Sequence, residues 1–420
     1  MIQTIIAFLF VFSVIVIIHE AGHYYFAKRA GILVREFAIG MGPKLLQFRR
    51  GETVFTIRIL PIGGYVRMAG LGEEGQDIRP GMSLIVEMDS NQVITRISLD
   101  EKYPLADGIP LQVQEADLEK EMFIEGYLAQ NTELERFTVS KKATIIEEGG
   151  TEIFVAPIER QFQSAPLLKR MMTNFAGPMN NFILAIITFT IVAFLRGGVT
   201  SNSNVIGQVV AGMPAANAGL LAGDAIVSVD GTPTNDWVQL TDQLIAKPDQ
   251  SIQLEILRDG QKQSVTLTSQ SDDNNGTKVG KIGIMVSQDT SFMSKISYGF
   301  TATWAVMTSV LSVLSSFFTK GFSINQLGGP VAMYSLTSQV VQNGFVQVLN
   351  LLAVLSVNLG IMNLLPIPAL DGGKLVLNAI EGVRGKPLDP QKESYITIAG
   401  AIILLVIMLL VTWNDILRLF

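Results

Sequence analysis

The sequence predicts a polytopic α-helical membrane protein with four transmembrane helices and inserted β-rich segments, and three observations carry that prediction. Hydrophobic residues make up 48% of the 420-residue chain and charged residues 16%, against roughly 25% charged in an ordinary soluble protein. Apolar runs recur at about 17 to 25 residues, the length that crosses the hydrocarbon at about 1.5 Å per residue. Between them lie short alternating runs punctuated by Gly and Pro, a strand-and-turn pattern.

The first helix, within residues 1–30, is apolar from Ile2 to Ile18, with no Lys or Arg before it and no small-residue cleavage pattern. It is therefore read as a spanning helix rather than a signal peptide. It ends in His19-Glu20-Ala21-Gly22-His23, which contains both histidines of the chain. Positions i and i+4 share a helix face, so two imidazoles can hold one zinc ion while Glu20 addresses a water there. Two helix-end histidines satisfied by solvent or backbone are the plainer alternative. The first basic residue, Lys28, follows roughly 10 Å beyond the motif, which places the pair below the membrane surface. With no cysteine in the chain, a third zinc ligand has to be Asp or Glu.

Further spans are expected at 168–197, at 345–370 including a broken end, and at 395–418. Lys28, Arg29, Arg35, Lys44, Arg49 and Arg50 follow the first helix, Lys169 and Arg170 precede the second, and Lys374, Arg384, Lys386 and Lys392 lie between the last two. An excess of Lys and Arg marks cytoplasmic loops. Both termini and the stretch 197–344 are then outside. Gly299 to Phe318, within 293–320, is apolar but rich in Thr and Ser, and a crossing there would turn the carboxylate of the next helix away from the histidines. It is predicted to be an amphipathic helix at the outer interface, followed by an extracytoplasmic connector over 321–344. The net charge of −6, with no basic patch beyond these flanks, argues against nucleic-acid partners.

The third span runs into Asn363-Leu364-Leu365-Pro366-Ile367-Pro368-Ala369-Leu370-Asp371-Gly372-Gly373, where two prolines break the helix. Irregular backbone at membrane depth is tolerated where it lines a cavity, and an ionisable residue there is a functional candidate. Asp371 is accordingly the expected third ligand, although Leu-Asp-Gly-Gly alone would read as a helix cap or turn. The second span opens with Asn174-Phe175-Ala176-Gly177-Pro178-Met179-Asn180-Asn181. Gly177 would permit close helix approach and Asn181 could bond a ligand or neighbouring backbone; a Pro at a first helical turn with a local Asn cap fits equally.

Thr53 to Met68 reads as two strands joined by a Pro-Gly turn, either an ordinary cytoplasmic hairpin or one whose free edge takes up an extended peptide. Ile57, Ile59, Gly63, Gly64 and Tyr65 are the candidate substrate contacts there, with Asn181, Pro366 and Pro368 elsewhere. Residues 71–166 form a cytoplasmic β-rich module with strand-like pieces at 83–88, 92–99, 137–147 and 151–156 and no assigned chemistry. Residues 203–290 alternate short strands and turns, with Ser269 to Gly276 as a polar turn or loop, and 371–394 is a cytoplasmic segment.

His-Glu-x-x-His at His19 to His23, Gly-Pro-x-x-Asn at Gly177 to Asn181 and Asn-x-x-Pro-x-Pro-x-x-Asp-Gly at Asn363 to Gly372, in this order, resemble the site-two protease family of intramembrane zinc metalloproteases, in its bacterial single-PDZ branch. The stretch Arg29 to Gly40 matches it too. The resemblance implies Zn2+ held by His19, His23 and Asp371, Glu20 as acid/base, and Asn363 assisting at the site. It also implies a membrane-reentrant β-hairpin on the cytosolic side within 31–70, and an inserted extracytoplasmic PDZ domain (α+β) at 203–290 that filters substrates by size or reads a trimmed end. The implied setting is the bacterial cell membrane, in contact with lipid, with the active site near the cytoplasmic side. The implied substrates are single-span membrane proteins, including anti-sigma factors, leftover signal peptides and pheromone precursors, cut after an upstream site-one-type protease. A non-catalytic PDZ-bearing membrane scaffold is the rival, which the intact Glu20 speaks against. A zinc or proton transporter would need several intramembrane carboxylates along a path.

Overall fold

The computed structural model describes residues 1–70, 78–100, 102–128, 133–147, 150–274, 277–319, 321, 324, 327–386 and 388–418. The start of the expected cytoplasmic module, Gly72 to Gly75, and the Asn275-Gly276 end of the expected polar turn lie outside them. Two compact units result, one of residues 1–188 and 302–420 and one of residues 189–301.

The first unit opens with α1 (Ile2–Ala30), which Gly31 closes in the left-handed conformation at φ 86°, its N–H donating to Ala27 O and Lys28 O. Lys28 and Arg29 occupy the last turn, where cations oppose the negative end of the helix dipole. Two long strands follow, β1 (Val34–Arg50) and β2 (Thr53–Met68). The expected pairing of the two halves of 53–68 with each other is not what forms. Glu36 to Ile39 lie opposite Val54 to Ile57 on one side and opposite Arg67 to Gly64 on the other, while Lys44 to Arg50 pair with Arg58 to Thr53. The first part of β1 is thus flanked on both edges by β2. Glycine explains the departure: Gly40 has φ 83°, and a Cβ there would stand 2.4 Å from Leu60 O. Only a residue without a side chain brings the backbones that close in a left-handed turn.

A closed sheet follows, built from β3 (Ser83–Met88), β4 (Ile94–Ser98), β5 (Ile109–Asp117), β6 (Phe123–Leu128), β7 (Glu135–Ile146) and β8 (Glu152–Phe154). Its order is β4-β3-β5-β6-β7-β8, and a parallel pairing of β4 with β7 closes the first five of these strands into a barrel, with β8 appended to β7. Leu84, Val86, Ile94, Ile97, Leu111, Val113, Ile124 and Ile145 fill it, each fully buried side chain contributing about 1.5–3 kcal/mol. β5 and β6 add to the four pieces read from sequence. Leu111 and Val113 do alternate inward in β5, but the intervening Gln and Glu dilute the apolar signal.

Then come α2 (Leu167–Leu195), which holds Pro178 in its interior, and, in the second unit, β9 (Val199–Thr200), β10 (Ile206–Val209), α3 (Pro214–Asn217), β11 (Ala225–Val229), β12 (Thr232–Pro233), α4 (Trp237–Ile245), β13 (Ser251–Arg258), β14 (Gln261–Thr268), β15 (Gln270–Asn274), β16 (Thr277–Lys281), β17 (Ile284–Val286) and β18 (Gln288–Asp289). β12-β11-β13-β14 form an antiparallel sheet over a core that includes Ile206, Ile226, Leu240, Leu254 and Ile282. Asp236 caps α4 by accepting from Gln239 N. Arg258 bridges Asp224 with Nε to Oδ1 at 2.7 Å and Nη2 to Oδ2 at 2.6 Å, and this partner holds the Asp224 carboxyl below its usual range. Gln270 to Asn274, read from sequence as a turn, is instead a strand paired with Lys281 to Thr277. Its polar residues carry no apolar alternation, so the pairing is decided by the partner strand rather than by propensity.

The remaining helices are α5 (Phe292–Thr319), α6 (Pro330–Gln342), α7 (Phe345–Leu364), α8 (Asp371–Arg384) and α9 (Pro390–Leu417). Among the described residues five helices are long and apolar enough to cross a membrane: α1, α2, α5, α7 and α9. α6, inside the expected connector, and α8, inside the expected cytoplasmic segment, are additional. Asp415 of α9 accepts from Gly329 N at 2.9 Å and Ala332 N at 3.0 Å, so the start of α6 is fastened to the end of α9.

Candidate metal centre

His19 and His23 lie one turn apart near the C-terminal end of α1, and both are buried. The rest of the site is built around them by close backbone approach. A Cβ on Gly22 would stand 2.4 Å from Ala176 O, and one on Gly177 would stand 2.4 Å from His23 Nε2 and 2.8 Å from His19 Nε2. Glycine at both positions is what lets α2 lie directly on the histidine face of α1. Asn180 Nδ2 donates to Ile18 O at 3.0 Å and fixes the crossing.

Asp371 arrives by a different device. α7 stops at Leu364, Ala369 takes φ 82°, and α8 restarts beneath the end of α7. A Cβ on Gly372 would meet Leu364 O at 2.2 Å, one on Gly373 would meet Ile367 O at 2.3 Å, and one on Gly400 of α9 would meet Pro368 O at 2.0 Å. Three glycines therefore permit the tight fold that swings the first residue of α8 to the histidines.

The result is a nearly equilateral triangle. His19 Nε2 and His23 Nε2 are 3.3 Å apart, and each is 3.3 Å from Asp371 Oδ2. Ligand atoms about 2.0–2.1 Å from a tetrahedral zinc are separated by about 3.3 Å. These three can hold a metal ion, and three protein ligands are the number a catalytic zinc site uses. Their supporting bonds agree. His23 Nδ1 donates to Thr173 O at 2.8 Å, leaving the Nε2 lone pair for a cation. His19 Nδ1 faces the Asn181 amide at 3.1 Å, and Asn181 Oδ1 is buried without a partner. A half-turn of that amide, which exchanges O for N in place, turns Oδ1 toward His19 Nδ1 so that it accepts the imidazole proton. Ser356 of α7 donates to Asn181 O at 2.8 Å.

Asn181, expected as a substrate contact, is wholly buried against His19 instead. Asn363 Nδ2 stands 3.4 Å from His19 Nε2, at the rim of the triangle. Glu20 is buried next to His19, and a Cβ on Gly64 would come 3.1 Å from Glu20 Cγ and 2.9 Å from Val16 Cγ1, so the Gly64 end of β2 runs along the Glu20 face of α1. Gly63 takes φ 72° beside Met41. Tyr65 donates to Glu36 Oε2 at 2.8 Å and receives a bond from Arg58 Nη2 at 2.6 Å. Ile57 and Ile59 are exposed on β2, Pro366 is exposed, and Pro368 packs its backbone on α9. Thr173 was not foreseen, because the group it contributes is a backbone carbonyl with no side-chain signature.

Membrane-type helices surrounding two imidazoles and a carboxylate define a membrane metalloenzyme. The pattern of Peptidase family M50 matches residues 7–407, and the chain belongs to that family. It is 49% identical to "Probable protease eep" of Enterococcus faecalis over 100% of both chains. It is 41% identical to zinc metalloprotease RasP of Bacillus licheniformis, again over 100% of both, and 39% identical to regulator of sigma-W protease RasP of Bacillus subtilis over 100% of this chain and 99% of that one. Among solved structures, the PDZ domain of an SdrC-like protein from Listeria monocytogenes is 24% identical, covering 21% of this chain and 90% of that chain with a TM-score of 0.18.

Proposed function

We propose that this protein is a zinc-dependent intramembrane endopeptidase that cuts the membrane segments of single-span proteins. The observation that carries the reading is the 3.3 Å triangle of His19, His23 and Asp371, sized for zinc, with Glu20 beside it on α1. His19, His23 and Asp371 hold the metal, oriented by Asn181 and Thr173. Bound zinc supplies Lewis acidity toward a water and a peptide carbonyl. The Glu20 carboxylate accepts the proton of the attacking water and returns it to the leaving amine. Asn363 Nδ2 donates to the carbonyl oxygen as negative charge develops there.

A helix keeps its carbonyls internally bonded, so the substrate has to be received as an extended strand. Gly64 to Val66 suit that role: they pair with β1 on one side, and among the described residues no strand pairs with the other. Met41, Leu45, Leu46, Phe48, Ile59 and Leu60 are all exposed on this sheet, an apolar surface suited to dipping into the bilayer. The name of the Bacillus subtilis relative, regulator of sigma-W protease RasP, supports substrates that govern a sigma factor; membrane-anchored anti-sigma factors, leftover signal peptides and pheromone precursors, cut after an upstream protease, are the substrates of this reading. The β-sheet unit at 203–290 is read as an extracytoplasmic PDZ domain that filters them.

The span count is four. Asp371 follows the C-terminal end of α7 and meets the C-terminal half of α1, so α1 and α7 run in the same direction and their N-termini share a side. α9 runs back, and its end at Asp415 is tied to Gly329, which supports residue 329 lying on the outer side after α5. α5 then lies at the outer interface instead of crossing. The function is tested by Glu20→Gln in reconstituted enzyme: zinc content should stay at one per chain while cleavage of a single-span substrate falls by at least about 100-fold. A variant that cleaves normally would refute the role of Glu20, and a wild-type protein without zinc would refute the whole reading.

A further inference from the structure

α8 joins the end of α7 to the start of α9, two helices long and apolar enough to cross a membrane. Its 14 residues extend about 21 Å. Returned to the membrane at both ends, the helix runs along the surface. Its faces are sorted oppositely to those of a helix bordered by water. The side toward the protein carries buried Gly372, Gly373 and Asn378 and Glu381, which Arg170 at the foot of α2 clasps through Nη1 to Oε2 at 2.9 Å and Nη2 to Oε1. The outward side carries Val376, Ala379, Ile380 and Val383, all exposed and Val383 to 90%. Their spacing of three and four places them in one stripe. Arg384 and Lys386 are exposed at its end. The neighbouring carboxylates are engaged elsewhere, Glu381 by Arg170 and Asp389 by the Gln391 and Lys392 amides of α9. An apolar stripe flanked by cations fits an anionic lipid surface.

We propose that α8 is seated in the headgroup–acyl boundary of an anionic bilayer, with Val376, Ala379, Ile380 and Val383 in the boundary and Arg384 and Lys386 on lipid phosphates, and that this seating holds Asp371 against the histidines. Asp371 is the first residue of α8, so lifting or tilting the helix displaces its carboxylate. The proposal rests on α7 and α9 spanning the membrane and on the metal centre described above.

The chain has no cysteine, so spin labels can be placed singly on the full-length protein at Ile380→Cys, Val383→Cys, Leu405→Cys in α9 and Lys262→Cys in the 203–290 unit. In vesicles of phosphatidylcholine with phosphatidylglycerol, labels at 380 and 383 should be several-fold less accessible to a water-soluble nickel relaxant than the label at 262. That protection should weaken without phosphatidylglycerol or with Arg384→Gln/Lys386→Gln. If 380 and 383 are as accessible as 262 while 405 is deep in acyl chains, the proposal is overturned; a wet label at 405 would instead overturn the membrane reading beneath it. Protection that disappears on diluting the protein in lipid would mean a second copy covers the stripe, which also defeats the proposal. Ile380→Glu/Val383→Glu should lose zinc to a chelator about tenfold faster than wild type. Unchanged retention in a variant whose stripe has left the boundary would sever the link to Asp371.

Discussion

At the scale of single residues, the centre depends on what is absent as much as on what is present. Gly177 presents no side chain to the two imidazole nitrogens, and Gly177→Ala would drive a methyl into the space a metal needs. That variant should bind zinc at least about tenfold more weakly, measured by chelator competition. Asn181 makes a sharper test, because the acceptor on His19 Nδ1 can be kept or removed at constant size. Asn181→Asp should retain zinc close to wild type, whereas Asn181→Leu should weaken it by about 10- to 100-fold. Equal affinities in the two variants would show that His19 needs no acceptor there. The candidate ligands His19, His23 and Asp371 could be proposed from the sequence because few residue types bind a metal, the histidines stand at helical spacing, and Asp371 follows a helix broken by two prolines. The Thr173 carbonyl was illegible because every residue has one, and the part played by Asn181 depends on a helix crossing no local pattern reports.

At the scale of elements, the β1–β2 sheet is tied down at two corners by charge. Glu52, in the turn between β1 and β2, receives Arg160 Nη1 and Nη2, each at 2.7 Å, and Lys28 Nζ at 3.3 Å. On the opposite edge of the same end, Arg67 holds Glu147 through two bonds of 2.9 and 2.7 Å. The Arg160 guanidinium, with Lys28 adding to it, holds the Glu52 carboxyl down at about 2 against an ordinary 4.5. A depressed carboxyl stabilises the fold above its unfolded value and loses that contribution as pH falls through the folded one. The stability gap between wild type and Glu52→Gln, followed by thermal unfolding in detergent, should therefore be full above pH 4.5 and close toward pH 2. About a third of the Glu52 side chain is in solvent, so the gap should be below about 1 kcal/mol. A gap that does not change with pH would refute the assignment. Long apolar helices were the easiest elements to read, since an apolar run of about 17 to 25 residues is a signal that needs no knowledge of partners. The winding of β1 between two parts of β2 was not, because strand partnership is decided by glycine turns and distant contacts rather than by the alternation within either strand.

For the whole molecule, the proposed orientation rests on the metal triangle. α1 and α7 have to run the same way for Asp371 to meet His19 and His23, and the Asp415 bond to Gly329 ties the chain after α5 to the end of α9; the proposed four-span topology puts that end outside. Single cysteines report this directly in a chain that has none. An impermeant thiol reagent outside intact cells should label Lys262→Cys and Gly321→Cys, and should reach Lys386→Cys only after the membrane is opened. Labelling of Gly321→Cys from the inside alone would make α5 a fifth crossing. Composition and flanking charge made the membrane character legible at once. The Thr-rich α5 sits near the threshold where hydropathy stops distinguishing a span from a surface helix, and the tie between α6 and α9 joins residues 86 apart, beyond any local pattern.

The two salt-bridged corners of the β1–β2 sheet carry a further implication. Both lie at one end of the sheet, where Glu36 faces Val54 on one edge and Arg67 on the other, so the opposite end, at Gly40 and Gly63, is held by neither bridge.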